Sequence, residues 1–168
     1  MEFEKVKNKF IQTWGALGSQ WGINKTMAQI HALLLVSHES ISMEDIMSEL
    51  QISRGNASMN LRALIDWGIV YKDYRNGERR EYFYAEKDLD EMAIKISKER
   101  SKREIKPALK VLREVSSFSP ESKTEQIHFV DQTQKLFDFV SQADHVLDKI
   151  TEFKDNWMAR LVIKFLKK

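Results

Sequence analysis

The 168-residue sequence predicts a mainly α fold with a small β-hairpin wing, that is, a winged helix-turn-helix domain plus helical dimerisation arms. Three observations carry this reading. Between Ser42 and Gly68 two short helical patterns follow each other, each behind its own capping serine. Directly after Gly68, two alternating aromatic and β-branched runs flank Asn76-Gly77, a strong hairpin signal. On either side of this block lie amphipathic helical patterns with apolar stripes to bury.

Residues 2 to about 18 place Phe3, Val6, Phe10, Trp14 and Leu17 at spacings of three and four, with Glu2, Glu4, Lys5, Lys7 and Lys9 on the other face. Gly15, Gly18 and Gly22 then read as a helix end and a connection. Trp14 and Trp21 beside that connection are candidates for an effector pocket that holds an onium cation by cation–π contact, or else core filler or a dimer seam. The next helix runs from Asn24, a plausible N-cap, to Ser37. Its nearly continuous apolar stretch from Ala32 marks a buried support, with His31 and His38 as structural histidines.

Ser42 and Asp45 form a capping box that opens a helix ending near Leu50, while Ile41 before it is too short a signal to decide a strand. Ser53 caps the second helix, which turns Ala57, Leu61, Leu64 and Ile65 inward. The opposite face carries Gly55, Asn56, Met59, Arg62 and Asp66, with Ser58 and Asn60 on its flanks and Arg54 at its start. A merely solvated helix would favour Lys and Glu. This one offers Arg, Asn and Ser beside a glycine that permits close approach of a phosphate backbone. Gly68 ends the helix as a C′ residue, and Trp67 before it closes the base of the hairpin. The strands span Ile69 to Tyr74 and Glu81 to Tyr84, and Arg75, Asn76, Arg79 and Arg80 surround the turn. A second helix for the major groove and a basic hairpin for the backbone or minor groove are the two parts a DNA reader of this kind requires.

After Asp88 a long pattern begins with Leu89, Met92, Ala93 and Ile96 and resumes with Ile105, Leu109, Leu112 and Val115. Between Lys98 and Arg113 stand seven bases and two acids, which either extend a DNA footprint or form a solvated face. Pro107 predicts a kink or a helix restart, and Ser119-Pro120-Glu121 predicts a new helix start. Phe129, Thr133, Leu136, Phe137, Val140, Ala143, Leu147 and Ile150 then form a seam near heptad spacing. A closing helix is expected from Phe153 to Leu166, with Trp157, Leu161, Val162 and Phe165 on one face and Lys164, Lys167 and Lys168 at its end.

The net charge is only +2, so the placement of charge matters more than its total. Met27 to Leu50 holds four acids and no Lys or Arg, whereas Gln51 to Arg80 holds six bases and three acids, so the sign changes where the second helix begins. With no cysteine, disulfides and thiolate metal sites are excluded. No leader-like start is present and the apolar run Ala32 to Val36 is far too short to span a bilayer, so a cytoplasmic protein without membrane contact is expected. Phosphate-loop, dinucleotide-loop and nucleophile-elbow motifs are missing, and the acids scatter along helix surfaces. The pattern therefore points away from an enzyme, and neither a cofactor nor a metal is expected.

From about Trp21 to Tyr84 the chain resembles the MarR superfamily of winged-helix regulators, and its GbsR-type branch in particular. The resemblance rests on Gly22 with the apolar helix Met27 to Val36, on the stretch Ser53 to Arg62, on Asp66-Trp67-Gly68-Ile69-Val70, and on Gly77-Glu78-Arg79-Arg80 with Tyr82. It covers a little over a third of the chain closely. It implies a homodimeric, sequence-specific regulator of transcription, usually a repressor, with double-stranded DNA as its partner and, in some relatives, a choline-like or osmolyte effector. On this basis residues 1–22 form an N-terminal helix contributing to dimerisation, 23–87 the DNA-binding domain, and 88–168 a helical dimerisation and effector region. The expected DNA contacts are Arg54, Gly55, Asn56, Ser58, Met59, Asn60 and Arg62 on the helix, with Arg75, Asn76, Arg79 and Arg80 on the wing. The rival reading is a winged-helix module that binds another protein without specific DNA binding.

Overall fold

The computed structural model describes residues 2–121 and 123–155. The element order is α1 (Phe3–Gln20), α2 (Lys25–Val36), β1 (Ile41–Ser42), α3 (Met43–Leu50), α4 (Arg54–Asp66), β2 (Val70–Asp73), β3 (Tyr82–Ala85), α5 (Leu89–Arg100), a π-helical turn (Ser101–Ile105), α6 (Lys106–Ser116) and α7 (Thr124–Asp155). The fold is mainly helical with one small antiparallel sheet, as a winged helix requires, and the chain divides into two compact units that meet between Lys95 and Ile96.

In the first unit the helix starts are made as their side chains dictate. Asn24 accepts from the Met27 amide, Ser42 from the Asp45 amide at 3.1 Å, and Ser53 from the Asn56 amide at 3.3 Å, so each N-cap satisfies a donor that the helix itself cannot. Gln51 closes α3 with a left-handed φ of 52°, which makes the tight turn into α4. At the other end of α4, the Gly68 amide donates to Ile65 O and the Ile69 amide to Leu64 O, a Schellman closure that Gly68 allows with φ 71°.

The core behind α4 is built from Ile30, Leu33 and Leu34 of α2, Ile46 of α3, Leu61 and Leu64 of α4, Val70 of β2 and Phe83 of β3, all fully buried. Trp67 is buried as well. The sheet order is β1-β3-β2, with Ile41 opposite Phe83 and Asp73 opposite Tyr82. The Ile41 strand therefore exists, because the wing supplies the partner that two residues cannot provide for themselves.

Gly15 and Gly18 do not end a helix. They lie buried within α1, where a Cβ on Gly15 would meet Gln29 Cγ at 2.5 Å and one on Gly18 would meet Ala28 Cβ at 2.5 Å. The two glycines bring α1 and α2 into close contact, and their helix propensity yields to that packing. The buried stripe of α1 consequently runs through Ile11, Gly15 and Gly18, while Phe3 and Val6 of the expected stripe are exposed. Gly22, with φ 77°, follows the true helix end.

In the second unit the π-helical turn carries the helix into α6, with the Lys106 amide donating to Ser101 O and Pro107 placed in the first turn of α6. This change of register accommodates the missing proline N–H in place of a sharp kink. The helix expected from Ser119-Pro120-Glu121 begins later, at Thr124, since Gln126 Oε1 accepts the Glu121 amide outside the helix at 2.8 Å. Helices α6 and α7 run antiparallel, with Arg113 of α6 over the Phe137 ring and Ser101 Oγ of the π-helical turn donating to Asp144 Oδ1 of α7 at 2.6 Å. The seam on α7 separates into two rows. Thr133, Phe137, Val140 and Leu147 are half-buried, whereas Phe129, Leu136 and Ala143 face outward together with Phe139 and Val146. At 3.6 residues per turn a strict seven-residue spacing drifts around the helix, which divides the expected seam. The Ile150 side chain and the expected closing helix beyond Asp155 lie outside the described residues.

Candidate nucleic-acid interface

The outer face of α4 follows from the placement of its inner one. With Ala57, Leu61 and Leu64 locked in the core, the 100° step per residue turns Gly55, Met59 and Arg62 to solvent. Gly55 has open space around the position of a Cβ, and Met59 is 62% exposed. Arg62 is exposed and has no ion-pair partner among the described residues.

The other candidates on α4 are engaged to differing extents. Arg54 Nη2 pairs with Glu44 Oε1 of α3 at 2.6 Å, which ties the start of α4 to the preceding helix. Ser58 is half-buried. Asn60, expected on the flank of the outer face, is instead buried at 3% exposure. Its Nδ2 donates to Asn56 O at 2.8 Å and to Asn56 Oδ1 at 2.6 Å, so the amide is consumed inside the helix turn. Burial beside Leu61 and Leu64 makes that internal partner necessary. Asn56 in turn is half-buried, with its Oδ1 already accepting from Asn60.

The wing stands next to this face. Arg62 and Ser58 of α4 line one groove of about 300 Å³ with Lys72 of β2, Glu81 just before β3 and Phe83 of β3. Lys72 pairs with Glu81 across the strands, and the hydrogen bond from that carboxylate holds the ammonium above its usual pKa. Between Asp73 and Tyr82 the chain makes a turn with the Glu78 amide donating to Arg75 O at 3.2 Å. Positive φ occurs there at Gly77 and not at Asn76, so the turn is not the two-residue type I′ hairpin that Asn-Gly suggests. The loop is longer, and Asn76, Arg79 and Arg80 on it are exposed.

Arg75 is held at the base of the wing. Its Nη2 donates to Ser40 Oγ at 2.8 Å, its Nε lies 3.4 Å from Asp73 Oδ2, and its guanidinium stacks 3.9 Å from the centre of the Tyr82 ring. Ser40 Oγ also donates to Asp73 Oδ2 at 2.6 Å; this bond first, and Arg75 after it, keep the Asp73 carboxyl below its usual range. Arg75 thus shapes the wing, whereas Arg79 and Arg80 have no ion-pair partner among the described residues.

Behind the wing a second polar cluster ties β2 to α5. Tyr71 Oη donates to Glu86 Oε2 at 2.8 Å, and Lys95 Nζ donates to Tyr71 Oη at 2.7 Å and to Glu86 Oε2 at 3.1 Å. These bonds raise the Lys95 pKa, Tyr71 contributing most, and the Tyr71 hydroxyl also lowers that of Glu86. Lys87 Nζ donates to Leu34 O, Leu35 O and Ser37 O, closing the C-terminus of α2. Ser40, Glu44, Glu86, Lys87 and Lys95 were not among the expected functional residues. Ser40 and Lys87 meet their partners from more than thirty residues away, and the Glu44–Arg54 and Glu86–Lys95 pairs each reach outside a single helix, so the periodicity of one helix does not announce them.

Trp14 and Trp21 occupy different surroundings. Trp21 is the C-cap of α1 and is 53% exposed, while Trp14 packs on Phe10 with ring centres 5.6 Å apart. Among the described residues no ring contact joins the two tryptophans. Nor, among those residues, is any helix long and apolar enough to cross a membrane.

The chain matches no protein-family profile and no curated protein sequence. It is similar in structure to a solved chain described as a transcriptional regulator, with TM-score 0.58 and 20% identity, over 86% of this chain and 99% of that one. A MarR transcriptional regulator from Methanosarcina mazei Go1 aligns over 83% of this chain and 94% of its own, with TM-score 0.39 and 16% identity. The first likeness shows that the two chains share a fold.

Proposed function

We propose that this chain is a MarR-superfamily transcription factor of the GbsR-type branch that binds double-stranded DNA as a homodimer and represses by occupying its operator. One observation carries the reading. Arg62 on the outer face of α4 and the wing strand bearing Lys72 border one groove, while Arg79 and Arg80 at the wing tip have no acidic partner among the described residues. A helix presented to the major groove beside a basic wing presented to the backbone meets both requirements of a duplex reader. The similar solved chain, itself described as a transcriptional regulator, supports the same reading.

The dimer rests on two features. One recognition helix covers a half-site, so a full operator calls for a second copy. The row Phe129, Leu136 and Phe139 on α7, and Phe3 and Val6 on α1, leave apolar surface for that copy to cover.

Fluorescence anisotropy of the whole chain against duplex from upstream of its coding region and against random duplex tests the reading. Operator affinity should exceed random affinity by about 10³ and fall steeply with salt. Arg62→Ala should cost roughly 1–3 kcal/mol on the operator and flatten the preference at one base pair. Equal affinity for operator and random duplex would sink the proposal.

A further inference from the structure

Met59 is a large apolar side chain at the centre of an otherwise polar exposed face, and neither core packing nor solubility explains its presence there. The residues around it have prior commitments. Arg54 is paired with Glu44, Asn60 is buried against Asn56, and Asn56 Oδ1 is already accepting. Among the expected readers of α4 this leaves Met59 and Arg62 as exposed side chains without a committed polar partner.

Resting on the DNA-binding reading above, we infer that Met59 and Arg62 read neighbouring base pairs, Met59 packing its thioether on a thymine 5-methyl group and Arg62 pairing with guanine. The operator half-site then carries a thymine within one step of a guanine. The chemistry of the major groove supports this assignment. Adenine, guanine and cytosine present hydrogen-bonding edges there, which an apolar tip would desolvate without replacement. The thymine methyl is the apolar group on that surface, and a flexible, polarisable thioether adapts to it. A guanidinium without a carboxylate partner suits the paired acceptors O6 and N7 of guanine. The spacing agrees as well, since three residues along a helix rise about 4.5 Å and successive base pairs about 3.4 Å. Gly55, one turn earlier with open space where a Cβ would stand, removes the side chain that would hold the helix away from the bases.

The test uses the full chain and duplexes selected by it from a randomised pool. In the selected duplex each thymine is replaced in turn by deoxyuridine, which deletes one methyl group and leaves every hydrogen bond in place. At one position, adjacent to a guanine, affinity should fall about fourfold. That difference should vanish in Met59→Ala and persist in Met59→Leu. Specific binding with no position sensitive to deoxyuridine would overturn this inference while leaving DNA recognition intact, as would a methyl effect that survives in Met59→Ala. If no duplex is preferred over random sequence, both this inference and the DNA-binding reading fall.

Discussion

Acidification should destabilise this protein through one buried histidine. His31 lies in the core side of α2, 4% exposed, with no hydrogen-bond partner for Nε2 among the described residues. Burial, followed by the positive charge of Lys87, lowers its pKa from 6.5 to about 4. The folded chain therefore keeps a neutral ring down to about pH 4, whereas the unfolded chain takes up a proton near 6.5. Between those values the unfolded state binds more protons, so stability falls as the pH falls. At 1.36 kcal/mol per unit of pKa, the full loss from pH 7 to pH 4 amounts to about 3 kcal/mol, a large share of a typical domain's stability. Urea denaturation of wild type and His31→Leu at pH 7, 6, 5 and 4.5 reads this directly. Leucine fills a similar volume and cannot be protonated, so the variant should lose most of the decline between pH 6.5 and 4.5. Carboxylates such as Asp73 and Glu86, whose pKa values are lowered, act below that window. Equal slopes for the two proteins would refute the argument.

Two further predictions concern packing and capping. Gly18→Ala should destabilise by about 1–2 kcal/mol despite the gain in helix propensity, because the new methyl meets Ala28 Cβ at 2.5 Å and neither atom can rotate away; a raised melting temperature would show that α1 and α2 are not in close contact. Lys87→Met keeps the aliphatic stem and leaves three carbonyls of α2 without their cation, at about 1 kcal/mol in urea denaturation. The same change removes a charge that lowers the His31 pKa, so the ring should titrate at higher pH by NMR; an unmoved titration would contradict the coupling.

Much of the first unit was legible because its signals are local. Asn24, Ser42 and Ser53 each cap a helix through an amide three residues on, and Gly68 ends α4 by its own backbone geometry. The remainder depends on partners distant in sequence. Gly15 and Gly18 look like breakers until Gln29 and Ala28 are brought against them. Asn60 looks like a flank residue until the roll of α4 places it beside the core, and Arg75 looks like a free wing cation until Ser40 arrives across the sheet. Of the α7 seam, Thr133, Phe137, Val140 and Leu147 are half-buried while Phe129, Leu136 and Ala143 are exposed, a division that their spacing alone did not announce. For Trp14 and Trp21, proximity in sequence did not become proximity of rings.

The most direct test of the central claim is the salt dependence of duplex affinity for wild type and for Arg79→Ala/Arg80→Ala. If α4 and the wing grip a duplex together, the double variant should bind operator and random duplex more weakly by similar factors. The slope of log affinity against log salt should be shallower by about two, one for each phosphate that an arginine no longer neutralises. An unchanged slope would show that the wing tip does not touch the backbone and that the basic hairpin has another role.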